Sequence, residues 1–129
     1  MPGETHLSTI LKTLRPELAE GEFVFCTVDL RTKLPVDDAI MIFREKEGTT
    51  LILPRGTADR LGLSYTYIAA WITLTVHSSL EAVGLTAAFA NALADQQISC
   101  NVVAGYYHDH IFVDKRDASK AMEILRKLA

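Results

Sequence analysis

The chain has 129 residues, 49% of them apolar, and carries a formal net charge of −3. This apolar content excludes a disordered chain, and the length allows one sizeable core or two small fused ones. Lys and Arg are scattered along the sequence without a basic stripe, which argues against a nucleic-acid partner.

The first residues, Met1 to His6, lack the basic and apolar regions of a signal peptide, so the expected location is the cytoplasm. Leu7, Ile10, Leu11, Leu14 and Leu18 recur at helical spacing and predict an amphipathic helix over 5–15, ended by Pro16. Residues 22–28 are rich in β formers and read as a strand. The segment 29–38 reads as a loop. Residues 39–45 and 50–53 flank Glu45-Lys46-Glu47-Gly48, a hairpin signal. A short helix fits 57–61 and is closed by Gly62.

The run 66–76 alternates Ile72, Leu74 and Val76 with Trp71, Thr73 and Thr75, the period of a half-buried strand. It is too short and too rich in threonine to span a bilayer, so no membrane partner is expected. A helix follows over 84–96, with Leu85, Ala88, Phe89, Ala92 and Leu93 on one stripe. Residues 98–106 predict a strand with Ile98, Cys100, Val102 and Ala104 on one face. A turn at Tyr107-His108-Asp109 leads into a strand over 110–113. The last helix places Ala118, Ala121, Met122, Leu125 and Leu128 together. Cys26 and Cys100 lie in β-like runs without a partner at CxxC spacing and read as reduced core residues.

The sequence repeats faintly. Shifted by sixty positions, Leu51 to Arg60 lies over Ile111 to Lys120, and Ile42-Phe43 lies over Val102-Val103. The second half has the helix 84–96 where the first has only the loop 29–38, a vacancy the helix 5–15 could fill. Each half then approximates β-α-β-β-α-β. The expected fold class is α+β: tandem ferredoxin-like modules over 1–64 and 65–129, each an antiparallel sheet with helices on one face.

Ile72-Thr73-Leu74-Thr75-Val76, then Glu81-Ala82-Val83-Gly84 opening a helix, then Ile98-Ser99-Cys100-Asn101-Val102 give the second half a close resemblance to an ACT domain. The run 103–113 resembles a subfamily of small bacterial proteins with two tandem ACT-like modules. The common ACT loop is Asp-x-Pro-Gly; here Val83 replaces the Pro, while Gly84 and an acid three positions before it are kept. That departure bears on ligand identity and not on fold. The resemblance implies a regulatory module that binds an amino acid between ACT modules, with no catalytic role, and pairing into a homodimer.

Gly84 allows close backbone approach at a helix N-terminus, where free N–H groups attract a carboxylate; it equally suits a tight strand-to-helix turn. Ser78 and Ser79 can donate to a ligand or bond their own loop. Asn101 can meet a ligand amine or cap the sheet surface. The candidate ligand-binding set is Ser78, Ser79, Val83, Gly84, Leu85, Thr86, Asn101, Val102 and Val103, with Val83, Leu85 and Val103 as apolar lining. Asp29, Asp37 and Asp38 are candidate acceptors for an ammonium group, or a solvated loop. His108-Asp109-His110 carries metal-ligand side chains, yet Asp in a hairpin turn is ordinary turn chemistry, so no metal and no cofactor are expected. No Gly-x-Ser-x-Gly, P-loop or Gly-x-Gly-x-x-Gly is present, which argues against an enzyme. The competing reading is a protein–protein interaction or dimerisation module without a ligand.

Overall fold

The computed structural model describes residues 7–76 and 84–129. In chain order the elements are α1 (Leu7–Lys12), β1 (Arg15–Leu18), β2 (Phe23–Val28), β3 (Met41–Arg44), β4 (Thr49–Pro54), α2 (Arg55–Arg60), β5 (Ile68–Thr75), α3 (Leu85–Ala94), β6 (Asn101–Ala104), β7 (Asp109–Asp114) and α4 (Ala118–Arg126), the last preceded by a 3-10 turn over Lys115–Asp117. They fall into two compact units. One is Glu20–Ala69; the other joins the chain up to Ala19 with Ala70–Ala129.

In the unit Glu20–Ala69, β2 lies between β4 and the start of β5, and β3 pairs with the far side of β4, all antiparallel. Val24, Cys26 and Val28 of β2 point to the same face as Leu51 and Leu53 of β4, and Ala58 of α2 packs onto them. Leu34 and Ala39 of the loop over 29–40, where the second half has a helix, pack onto the same core. Arg55 opens α2 and is held by Tyr65 and Glu22, its Nε and one terminal nitrogen donating over 2.9 Å each. The helix ends at Arg60, and Gly62 takes φ +70, a left-handed turn open to glycine without strain.

In the second unit the strand order is β1-β5-β7-β6. This is the order of a β-α-β-β-α-β sheet whose closing strand comes from before the first strand in sequence. Ala70, Ile72 and Leu74 of β5 and Ile111 and Val113 of β7 face the helices and pack with Phe89 and Leu93 of α3 and Ala121 and Leu125 of α4. Ile10 and Leu14 complete that same core and are fully or almost fully buried. Helix α1 therefore belongs with α3 and does not fill the vacant place in the first half, because its apolar stripe is already used in the other core.

Two further readings change. Pro16 does not stop a helix; α1 ends at Lys12 and Pro16 lies inside β1, opposite Leu74. A proline is tolerated there because β1 pairs on one side only, with β5, and its missing N–H can face away from the ladder. The strand expected over 98–106 forms only at Asn101–Ala104. Gln97 turns left-handed at φ 63 and the Ile98 N–H returns to the Leu93 carbonyl at 3.0 Å, so Ile98 seals the end of α3 instead.

The two hairpins obey the sixty-residue shift to the residue. Met41, Ile42, Phe43 and Arg44 pair with Ile52, Leu51, Thr50 and Thr49; Asn101, Val102, Val103 and Ala104 pair with Phe112, Ile111, His110 and Asp109. The turns repeat as well: the Glu45 N–H donates to the Gly48 carbonyl and the Gly105 N–H to the His108 carbonyl, both at 2.9 Å. The second turn thus spans 105–108, slightly ahead of its expected place.

Candidate functional site

Helix α3 opens on Gly84, whose φ of 92 is left-handed. The Gly84 carbonyl accepts from the Ala88 N–H at 2.9 Å, and among the described residues no side chain caps the first turn. The backbone N–H groups at this end are the kind that a carboxylate neutralises, helped by the helix dipole. A Cβ on Gly84 would stand 3.3 Å from Leu7 Cδ2, so α1 lies beside this helix end. Ser78, Ser79 and Val83 lie outside the described residues.

The other expected site residues divide. The Leu85 side chain is buried in the core with Phe89 and Ile10, so only its backbone is available at the helix end. Thr86 is exposed. Asn101 is exposed on edge strand β6 and its amide donates to the Phe112 carbonyl at 3.3 Å. Val102 is exposed and Val103 half-buried. The chain enters β6 from the C-terminal end of α3, whereas Gly84 marks the N-terminal end, and a ten-residue helix is about 15 Å long. By register Asn101 and Val103 share a face with Phe112 and His110, the side of the sheet turned away from the helices. Of the acids in the first-half loop, Asp38 is paired with Arg60 at 3.4 Å and Asp29 accepts from the Arg31 N–H at 2.9 Å.

That outer face holds a group the sequence reading passed over. The Trp71 indole N–H donates to His110 Nδ1 at 3.0 Å, and Thr73 Oγ1 stands 3.2 Å from the same nitrogen. Trp71 also stacks on Phe112, ring centres 6.0 Å apart. The His108 ring lies 6.3 Å from that of His110, and its buried Nδ1 has no hydrogen-bond partner among the described residues. Burial pushes the Asp109 carboxyl up and, with the charge His108 can carry, pushes the His110 imidazole down; Asp109 opposes the latter shift. The signal was present as strand alternation: Trp71 and Thr73 occupy the polar phase of β5, where an indole needs an acceptor.

A shallow groove of about 430 Å³ runs between α3 and α4, over Ala92, Ile124 and Leu128 and edged by Asp95, Lys120 and Glu123. None of the expected site residues lines it. Among the described residues no group of three or more His, Cys, Asp or Glu could hold a metal ion, and no helix is long and apolar enough to cross a membrane. The Cys100 thiol is pushed up to about 11 by burial, so it stays protonated at neutral pH.

Two models of the ACT domain match the chain, one over residues 2–70 and the other over 67–127. The chain belongs to the ACT domain family. Among solved structures, a Vibrio cholerae protein of unknown function, described as a possible transport protein, is 49% identical, with 95% of each chain covered and a TM-score of 0.85. The alpha and beta subunits of an aspartokinase are similar at 14% identity, TM-score 0.62, covering 88% of this chain and 95% of that one. An aspartate kinase of Clostridium acetobutylicum, described as an allosteric enzyme, is 12% identical with a TM-score of 0.66 and covers 97% of this chain but 36% of its own. These two distant likenesses carry the fold alone. No protein of curated function matches. ACT domains are regulatory modules, and the tandem ACT pair meets within 67–70, at the start of β5.

Proposed function

We propose that this tandem ACT protein is a non-catalytic regulatory module that binds a free amino acid at the N-terminal end of α3. The observation that carries the reading is Gly84: it opens a ten-residue helix in a left-handed conformation and brings no side chain of its own to cap it. The ligand carboxylate takes the N–H groups of Leu85, Thr86 and Ala87, which suits an end whose first turn holds no Lys or Arg. Ser78, Ser79 and Val83, which precede α3 in sequence, would supply hydroxyls and apolar contact, and Leu7 stands beside Gly84. An aliphatic or neutral amino acid therefore fits better than a basic one. Asn101, Val102 and Val103 belong to the sheet edge and serve assembly: β6 is an exposed edge strand, and such edges are commonly covered by a second copy. The protein acts in the cytoplasm as a homodimer.

Thermal unfolding with each of the twenty amino acids tests this. A ligand at one hundred times its Kd stabilises the folded form by about 2.7 kcal/mol. Gly84→Val, if folded, loses that shift; an unchanged shift moves the site elsewhere. If none of the twenty raises the midpoint at millimolar concentration, the chain is an interaction module that has lost its ligand. Light scattering at micromolar concentration reports the dimer, and a monomeric mass throughout removes it.

A further inference from the structure

The outer-face group around His110 is a place where hydrogen-bond chemistry leaves one arrangement only. An indole N–H donates and never accepts. His110 Nδ1, 3.0 Å from Trp71 Nε1, must therefore be the unprotonated nitrogen of a neutral ring whose proton is on Nε2. A proton on Nδ1 would set two N–H groups against each other. Thr73 Oγ1, 3.2 Å from the same nitrogen, is a hydroxyl that can turn and accept.

We infer that His110 is a proton-operated latch: a proton from solvent on Nδ1 releases the Trp71 indole, and the new Nδ1–H donates to Thr73. Trp71 bridges two elements in the closed state, because its ring also stacks on Phe112 of β7 while its own strand is β5. Opening the latch removes one of those ties and loosens the indole on the face that also carries Asn101 and Val103. His110 is half-buried, so protonation is held back by desolvation.

Among the described residues, the charged groups that bear on His110 are His108 and Asp109. His108 stands ring to ring with it and opposes a second positive charge; Asp109, next in sequence, favours that charge. From β5 it meets Thr73 and Trp71, and from β6 Val103 stands opposite, none of which titrates near neutrality. Beyond Thr73, β1 places Glu17 directly across and Arg15 two positions along.

Trp71 is the single tryptophan of the chain, so fluorescence excited selectively at tryptophan reports the surroundings of this one indole. The expected result is a reversible change in emission on acidification, with a midpoint below the ordinary histidine value of about 6.5. His110→Gln keeps an acceptor for the indole and cannot titrate, so the change is lost while the far-ultraviolet spectrum is kept. His108→Gln moves the midpoint up, and Asp109→Asn moves it down. ¹⁵N-histidine spectra of the wild type at pH 8 should show His110 with its proton on Nε2. A proton on Nδ1 at that pH, or a transition that persists in folded His110→Gln, overturns the latch; the wild-type spectra decide the matter even if the variant does not fold.

Discussion

Gly84 stands at φ 92 with Leu7 Cδ2 3.3 Å from where its Cβ would be. Both facts penalise a side chain, one through backbone strain and one through crowding. Gly84→Ala should cost about 1–2 kcal/mol, measured as a lower urea midpoint at unchanged slope. A loss well under that would mean that the backbone at Gly84 rearranges without strain. His110 gives a second prediction at this scale. Its folded pKa lies below the ordinary value because of burial first and His108 second, with Asp109 pulling the other way. The unfolded chain then binds the proton before the folded one, so this contribution to stability is complete above the ordinary histidine range and is lost as pH falls through it. Thermal midpoints should therefore drop on acidification below about pH 6.5, and less so in His110→Gln.

At the scale of elements, α1 and β1 show how a short segment is decided by its neighbours. The stripe Leu7, Ile10, Leu11, Leu14 was legible, and its first three residues do lie in a helix, but its length and its destination were not. Arg15-Pro16-Glu17-Leu18 contains no β-branched residue and one proline, so nothing local marks it as a strand. It becomes one because β5 offers a free edge with the matching register, Arg15 opposite Thr75 through Leu18 opposite Ile72. Ile10 is fully buried in the core made by β5, α3 and α4. Ile10→Ala should destabilise the protein by about 2–5 kcal/mol, as for a large-to-small change in a rigid core. A loss under 1 kcal/mol by denaturant titration would show α1 to be a loosely held arm.

At the scale of the whole molecule, the order of folding units does not follow the order of the chain. The module that closes on β5, α3, β6, β7 and α4 also takes α1 and β1 from the opposite terminus. A fragment of residues 65–129 lacks Ile10, Leu14 and the strand opposite Ile72 and Leu74. It should fail to unfold cooperatively, whereas a version with residues 1–19 joined to its C-terminus by a flexible linker should recover a sharp transition. A cooperative transition in the bare fragment would show the N-terminal segment to be dispensable. The sixty-residue shift, legible in the sequence as a match of residue types, extends in the structure to hairpin register and turn hydrogen bonds.

What the sequence determined by itself were the features carried by local periodicity and turn chemistry. Alternation along β5 separated Ile72 and Leu74 from Trp71 and Thr73. The Glu45 to Gly48 turn set the first hairpin, and the stripes of α3 and α4 named their buried residues. The ACT pattern around Gly84 was legible for the same reason, since a glycine before an apolar stripe is a local signal. Only the tertiary structure decided which core α1 joins, that Pro16 lies in a strand and that Trp71 meets His110, thirty-nine positions away. These are pairings between segments distant in sequence, and each is fixed by which surface is left open once the other elements have packed.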